Sequence, residues 1–318
     1  MNKESSSNNA FSIIENYNDK IDVLSFLKVL WSNKIILIVI TSIFAFGAVI
    51  YSLSLPNKYT SYSVLKFHDD DQSSNLSSML GSASGLASMA GISLPNQSSN
   101  KSEYVITLIK SKEFLKSLLK YENTKENLVA AIDFNFSKNE IIYDDNIYDS
   151  IKKEWTRKIP SNRKKVPSYI EVHEDYYLKF LSASIDKKSG FIRIDFEHVS
   201  PFFAEEFIKN IIFEVNNSVK LSDISESNKA IEYLQSRSDT TNQSDVKKSI
   251  SSLISIELKK LMIANMRDDY LITPIDMPFT PELKSSPARA SICVFYTIIG
   301  FILAIIVVIF REYIKKED

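Results

Sequence analysis

The sequence has few of the residues that active sites and structural cross-links most often require. It contains one cysteine, Cys293, in 318 residues, so an intramolecular disulfide and a cysteine metal cluster are excluded. The three histidines, His68, His173 and His198, lie far apart and outside any HExxH-type spacing, and we expect each to be a surface or loop residue. No glycine precedes a lysine and no GxSxG sequence occurs, so the chain lacks a phosphate loop and a nucleophile elbow.

The charge pattern is equally unspecialised. The net charge is −1 at pH 7, the pI is near 6.4, and acidic residues are interspersed with basic ones, which argues against a nucleic-acid partner. No pair of carboxylates stands out as the acid and base of a glycoside hydrolase. Residues 152–165 are locally basic, and we interpret them as a solvated face, with contact to anionic sugars or lipid head groups as the alternative. We therefore expect no enzyme, no cofactor and no bound metal.

Two long uncharged runs dominate what is present. Residues 290–310 carry no charge and are bounded by Arg289 and Arg311, and residues 35–55 form a second run of the same length. At a rise of about 1.5 Å per residue, a helix of either length covers the roughly 30 Å of a bilayer's hydrocarbon core. We predict two transmembrane helices, the first being a retained anchor rather than a cleaved signal peptide.

The orientation of these helices follows from the lysine and arginine residues near their ends. The terminal sides carry six such residues and the central sides four: Lys20, Lys28, Lys34, Arg311, Lys315 and Lys316 against Lys58, Lys66, Lys284 and Arg289. We therefore expect residues 1–34 and 311–318 to be cytoplasmic tails. The central region, residues 56–289, would lie outside, in the periplasm of a Gram-negative cell.

The central region mixes strand and helix patterns. Residues 59–67 predict a strand, and residues 181–185 and 191–198 predict a hairpin with one buried face. Ser200 and Pro201 then mark a helix start. The apolar stripe that follows reaches about residue 237, and after a polar break at residues 238–245 a second helix begins at about residue 246. The predicted fold is an α+β domain with a long helical arm, about residues 201–270, antiparallel or singly kinked, between the two transmembrane helices.

Three further segments have weaker patterns. Residues 21–31 predict an interfacial helix or an upward extension of the first span. The serine-rich residues 69–102 are a flexible surface insertion, or a segment whose small residues pack against a neighbouring subunit or the membrane surface. Residues 104–132 have a helical period.

Proline is concentrated just before the second span. Pro274, Pro278, Pro281 and Pro287 fall within fourteen positions and stop the span's helix from continuing upstream as one rod. We predict that the chain enters the second span through an extended or kinked connector.

Four stretches in this order resemble a known family. They are IDVLSFLKVLWSNK at the first span, KVPS at residues 165–168, KKSG followed by FIRIDFEHVSP, and PFTPELKSSPARA before the second span. Together they resemble the Wzz-type chain-length determinants, or polysaccharide co-polymerases, of bacterial envelope polysaccharide synthesis. The resemblance is to the short class without a kinase module, because only Tyr313 follows the second span among tyrosines. The serine-rich residues 69–102 depart from the family's minimal pattern.

The resemblance implies an inner-membrane protein with a periplasmic base, forming a ring-like homo-oligomer. Such a protein sets the modal length of lipopolysaccharide O-antigen, or a related envelope polysaccharide, made by a separate polymerase. The implied partners are that polymerase, the growing lipid-linked glycan and membrane lipid, and the implied functional residues are Pro278, Pro281 and Pro287. The alternatives are an exopolysaccharide or capsule export co-polymerase with a kinase on a separate chain, and a two-span receptor. The eight residues after Phe310 leave little room for a receptor's cytoplasmic output.

Overall fold

The computed structural model describes residues 29–67, 97–159 and 163–317. The chain forms two compact units, one from Met1–Leu55 with Pro287–Asp318 and one from Pro56–Ser286. The described elements, in chain order, are α1 (Lys34–Ser54), β1 (Tyr59–Phe67), α2 (Gln97–Ile109), α3 (Lys112–Leu118), α4 (Thr124–Ala130), β2 (Ala131–Asn135), β3 (Glu140–Tyr143), β4 (Tyr148–Asp149), β5 (Glu154–Trp155), α5 (Tyr169–Val172), a π-helical turn π1 (His173–Tyr177), α6 (Leu178–Phe180), β6 (Leu181–Ile185), β7 (Ile192–His198), α7 (Pro201–Thr240), α8 (Ser244–Met266), β8 (Ile272–Asp276) and α9 (Arg289–Glu317).

The first unit is a pair of packed helices, α1 and α9. Both are long and apolar enough to cross a membrane, over Lys34–Ser54 and Arg289–Ile314. Helix α9 runs on beyond the predicted residues 290–310, because the charged residues that end the apolar run are good helix formers. Gly300 allows a close approach of the two helices, since a Cβ there would lie 2.5 Å from the Cβ of Phe44.

The second unit is built on a four-stranded antiparallel sheet with strand order β6-β7-β1-β8. The predicted strand at residues 59–67 and the predicted hairpin are both confirmed. On β7 the alternating residues Ile192, Ile194 and Phe196 are fully buried. These three side chains point to the same side of the strand, as expected for a strand with one covered face.

Helix α7 covers this sheet with its first four turns. The Ser200 hydroxyl accepts a hydrogen bond from the Phe203 N–H at 3.2 Å, which confirms the predicted N-cap. Phe207, Ile211 and Val215 follow at helical spacing and are fully buried against the sheet and α3. Each such side chain contributes about 1.5–3 kcal/mol of transfer free energy on burial.

Beyond the sheet, α7 and α8 form an antiparallel hairpin, which is the predicted arm. Ser227 donates to Glu257 at 2.7 Å, and Lys260 pairs with Asp223 at 3.0 Å. The predicted polar break was too long: only residues 241–243 interrupt the helices, because the flanking polar residues continue α7 and begin α8.

A buried amide fixes the return from the arm to the sheet. The Asn216 side-chain oxygen accepts from the N–H groups of Leu271 and Ile272 at 2.8 and 2.9 Å. Its amide nitrogen donates to the Ile272 carbonyl at 2.9 Å. The three bonds hold the start of β8 against the middle of α7.

The helical period predicted over residues 104–132 is confirmed, and it is divided among three helices, α2, α3 and α4. The chain turns between α2 and α3, where Ser111 caps the Phe114 N–H, and turns again at Asn123, which has φ 54°. Ile132 belongs to strand β2. Residues 21–28, His68 and residues 69–96 lie outside the described part of the chain, and so do most of the predicted interfacial helix and most of the serine-rich segment.

Candidate functional site

The connector between β8 and α9 is packed against the second unit over residues 277–286. Pro278 and Pro281 are buried, and Pro287, which begins the second part of the first unit, is partly buried. The predicted extended connector is present, since no helix occurs between β8 and Arg289. A proline suits this path because it needs no partner for a backbone N–H.

Two contacts hold the middle of the connector on the sheet. The Ser61 hydroxyl of β1 donates to the Phe279 carbonyl at 2.7 Å. The Phe279 ring meets the Tyr62 ring edge-on at 4.9 Å between centroids. On Tyr62, the Arg193 guanidinium lies 4.0 Å from the ring centroid and is held there by Asp195.

A third contact ties the connector to α7. The Thr280 hydroxyl donates to the Glu205 carboxylate, which also accepts from Lys209 at 2.6 Å. Burial of Glu205 disfavours its charged form, but the hydrogen bonds from Lys209 and Thr280 outweigh burial and lower its pKa. Glu205 is therefore a charged anchor for the connector near neutral pH.

The connector ends beside the point where the chain enters the second unit. Lys58 and Ser286 form an antiparallel bridge, with the Lys58 N–H 2.9 Å from the Ser286 oxygen and the Ser285 N–H 2.9 Å from the Lys58 oxygen. The Ser286 hydroxyl donates to Glu197, and the Lys58 ammonium lies 3.8 Å from that carboxylate. The entry and exit of the second unit are thus held side by side.

In the first unit, Arg289 closes the C-terminal end of α1. Its guanidinium donates to the carbonyls of Ser52 and Leu55 at 3.0 and 3.3 Å. These carbonyls have no partner within α1 itself, so the arginine satisfies orphan acceptors and places a positive charge at the negative helix end.

Two histidines that were expected at the surface are buried, so that expectation was wrong. The His198 ring bonds the Asn127 carbonyl through Nε2 at 2.9 Å and accepts the Ser200 N–H through Nδ1 at 3.1 Å. Burial lowers the pKa of His198 to about 4, so the ring is neutral. His173 is also buried, with Nε2 2.7 Å from the Lys110 carbonyl.

The interpretation of residues 152–165 as a solvated face is confirmed for the described lysines, all of which are exposed, but it is wrong for Arg157. Arg157 forms a two-pronged contact with Glu171, and both side chains are about nine-tenths buried. The Arg163 guanidinium forms ion pairs with the carboxylates of both Glu171 and Asp175. Hydrogen bonding from Arg157 lowers the pKa of Glu171, and this ion pair joins the basic segment to α5.

Among the described residues, no three metal-ligating side chains converge. The connector contains Pro278, Pro281 and Pro287, which the family resemblance implies are functional, and it bonds to β1, β7 and α7, so it is treated as the candidate functional site. The family resemblance implied Pro278, Pro281 and Pro287 as functional residues, and the proline spacing predicted the extended path of the connector. The contacts of Ser61, Glu197 and Glu205 with the connector were not predicted, because single polar residues of strands and helices give no local signal of a distant partner.

One family model matches the N-terminal third of the chain. Residues 19–121 match the family described as "Wzz: Chain length determinant protein", a stretch that includes α1, β1, α2 and α3. The predicted resemblance to the chain-length determinants is thereby confirmed over these residues, about a third of the chain. No curated protein sequence matches the chain.

Two solved structures are similar to the chain at low identity. A full-length bacterial polysaccharide co-polymerase is 12% identical, with 94% of this chain and 99% of that chain covered and a TM-score of 0.38. A fragment of WzzB, a polysaccharide co-polymerase from Salmonella Typhimurium, is 15% identical, with 72% and 100% covered and a TM-score of 0.28. These TM-scores are too low to equate elements of the folds.

Proposed function

We propose that the chain is a non-enzymatic scaffold of the bacterial inner membrane that sets the modal chain length of lipopolysaccharide O-antigen, or of a related envelope polysaccharide. A separate polymerase makes the polymer, and the growing lipid-linked glycan and the polymerase are the partners. The observation that carries this proposal is the match of residues 19–121 to the chain length determinant family. Helices α1 and α9, both apolar enough to span a bilayer, support the membrane placement.

The proposed topology has both termini in the cytoplasm and residues 56–289 in the periplasm. The six-to-four distribution of lysine and arginine around the two spans supports it. Alkaline phosphatase is active only outside the cytoplasm, so a fusion after residue 150 should be active and a fusion after residue 318 inactive. The opposite pattern would overturn the topology while leaving the two spans in place.

A homo-oligomer is the proposed working form, and the arm offers a surface for it. Leu258, Met262 and Met266 follow at four-residue spacing on α8 and are 47, 64 and 77% exposed. A row of large apolar side chains in water is costly, and a second copy of this chain would bury it. We therefore assign this row, the α8 stripe, to a contact between copies.

The stripe can be tested with one added charge. Met262→Glu should shift the detergent-purified protein to smaller species in light scattering, because burying an unpaired carboxylate opposes association. Ser249→Glu places the same charge on α8 at an exposed position outside the stripe and should leave the assembly unchanged. Identical masses for both variants and the unaltered chain would remove the stripe from the interface.

The proposed function itself is tested by the glycan ladder of cells with and without the gene. A length regulator that is absent should leave polymer with a smooth decay of lengths in place of a clustered distribution, and a plasmid copy should restore the cluster. Loss of all surface polymer with retention of its precursors inside the cell would instead support the export role.

A further inference from the structure

One end of the four-stranded sheet contains both places where the chain enters and leaves the second unit. Tyr59 pairs with His198 at this end, next to the Lys58–Ser286 bridge. At the opposite end, six residues or about 20 Å further along β1, Leu65 pairs with Ile192 and the β6–β7 turn begins. One end of the sheet therefore contains the entry and exit of the second unit, and the other end contains the β6–β7 turn.

A chain of aromatic rings lies at the entry end. Tyr59 meets Phe136 at 5.6 Å between centroids, Phe136 meets Phe134 at 5.0 Å, and Phe134 meets Phe202 at 5.8 Å. Tyr59 and Phe134 are buried, but Phe136 is 58% exposed and Phe202 is 48% exposed. Phe136 and Phe202 are called the aromatic edge below.

The aromatic edge is held rigidly. Phe136 follows β2, in the turn to β3, where the Asn135 side chain accepts the N–H groups of Ser137 and Lys138 at 3.0 and 3.2 Å. Phe202 is the second residue of α7, just after the Ser200 cap. Two large rings displayed on an ordered turn and a capped helix start lose little conformational freedom when they bind a surface.

Chain length limits how far this edge can be from the apolar helices. Helix α1 ends at Ser54, five residues before Tyr59, and α9 begins at Arg289, three residues after Ser286. Fully extended, these links span at most about 18 Å and about 11 Å. If α1 crosses a bilayer, Tyr59 lies at most about 18 Å along the chain from the end of that helix, and the Phe136 ring lies 5.6 Å from the Tyr59 ring.

We propose that the aromatic edge docks into the head-group region of the bilayer that α1 and α9 cross, with lipid as its occupant. Phenylalanine is one of the residues that bury their apolar surface at the boundary between head groups and acyl chains, as on the apolar face of interfacial helices. Docking would fix the tilt of the base on the membrane at a contact separate from the connector. The inference rests on the proposed membrane placement of the two helices, and it is independent of chain-length control.

The test measures how strongly spin-labelled lipid quenches a fluorophore attached to the protein. The full-length protein is placed in vesicles of phosphatidylethanolamine and phosphatidylglycerol that contain spin-labelled phosphatidylcholine. Cys293→Ser removes the native thiol, and single cysteines are placed at Ser137 beside Phe136 and at Ser189 in the β6–β7 turn at the opposite end. Both positions are exposed turn residues of the same unit. Quenching should be several-fold stronger for Ser137→Cys than for Ser189→Cys.

A second substitution tests whether the rings cause the docking. Phe136→Ser in the Ser137→Cys protein should reduce quenching to the Ser189→Cys level, whereas Phe213→Ser, at a 60% exposed position on α7, should not. Equal quenching at the two turns, or quenching that survives Phe136→Ser, would overturn the proposal. A fluorophore at Phe46→Cys on α1 separates the two claims, because its quenching reports the membrane placement alone.

Discussion

Buried polar side chains in the second unit bond backbone groups far away along the chain. His198 bonds residues 71 positions away and two positions away through its two ring nitrogens. Asn216 satisfies three backbone groups around residue 272. Ser61 and Ser63 are buried and donate to carbonyls of the connector and of β8. Each is a polar group whose partner compensates for its lost contact with water.

The His198 site predicts a specific dependence of stability on pH. The ring has a pKa of about 4 in the folded chain and about 6.5 in the unfolded chain, so the unfolded state binds the proton more readily between these values. The stabilisation is complete above pH 6.5 and is lost as the pH falls towards 4, by up to about 3 kcal/mol.

The measurement is the thermal unfolding of the full-length protein in detergent across this pH range. His198→Gln should be less stable at pH 7, because the ring contacts are lost, and should depend less steeply on pH between 6.5 and 4. Glu171 also loses stabilisation on acidification, since its folded pKa is lowered, but it does so equally in both proteins. Parallel pH profiles for the two proteins would contradict this account of His198.

Sequence periodicity predicted the helices and strands better than it predicted the burial and bonding partners of single residues. The β6–β7 hairpin and β1 were predictable because one face of each strand is covered, so apolar and polar residues alternate along a short stretch of sequence. The burial of His198 and of the Arg157–Glu171 pair was not predictable, because the covering residues come from other segments of the chain. The connector lies between these cases: the proline spacing indicated its extended path, but its bonds to Ser61 and Glu205 required the fold.

At the scale of elements, the α1–α9 pair depends on one small residue. A methyl group at Gly300 would meet Phe44 at its Cβ and Cγ, 2.5 and 2.7 Å away, whereas a methyl group at Gly47 would meet nothing within 4 Å. Small residues allow apolar helices to approach closely where lipid supplies no hydrophobic drive for association. Gly300→Ala should therefore loosen the pair, and Gly47→Ala should not.

The native cysteine gives a direct readout of this packing. The Ser52 hydroxyl lies 3.8 Å from the Cys293 sulfur across the helix pair. In membranes, Ser52→Cys should form an intramolecular disulfide on mild oxidation, visible as a mobility shift. Gly300→Ala should slow its formation several-fold, with Gly47→Ala as the matched control. Equal rates in all three proteins would show that the close approach at Gly300 does not determine the packing.

At the scale of the whole molecule, the connector joins β8 of the second unit to helix α9 of the first. Replacing Pro278, Pro281 and Pro287 with alanine restores freedom of φ and removes packed ring atoms from the connector. Helix α9 could then extend upstream. We expect normal membrane levels, because the apolar run drives insertion, but an altered glycan length distribution.

The control for this variant is Pro274→Ala. Pro274 is half-buried in β8, before the connector and outside the four family-like stretches, so its loss tests the removal of a packed proline ring elsewhere in the second unit. The two variants should differ in the ladder at matched protein levels. A normal ladder from the fully expressed triple variant would mean that the prolines only end a helix.

The central claim is that this chain sets polymer length without making the polymer. Its most direct test is to measure, in cells lacking the gene, both the length distribution of the envelope polysaccharide and the total sugar incorporated into it. The account predicts that the clustered lengths become a smooth decay while incorporation continues, and that expressing this chain restores the cluster. An unchanged length distribution, or a complete loss of incorporation, would contradict it.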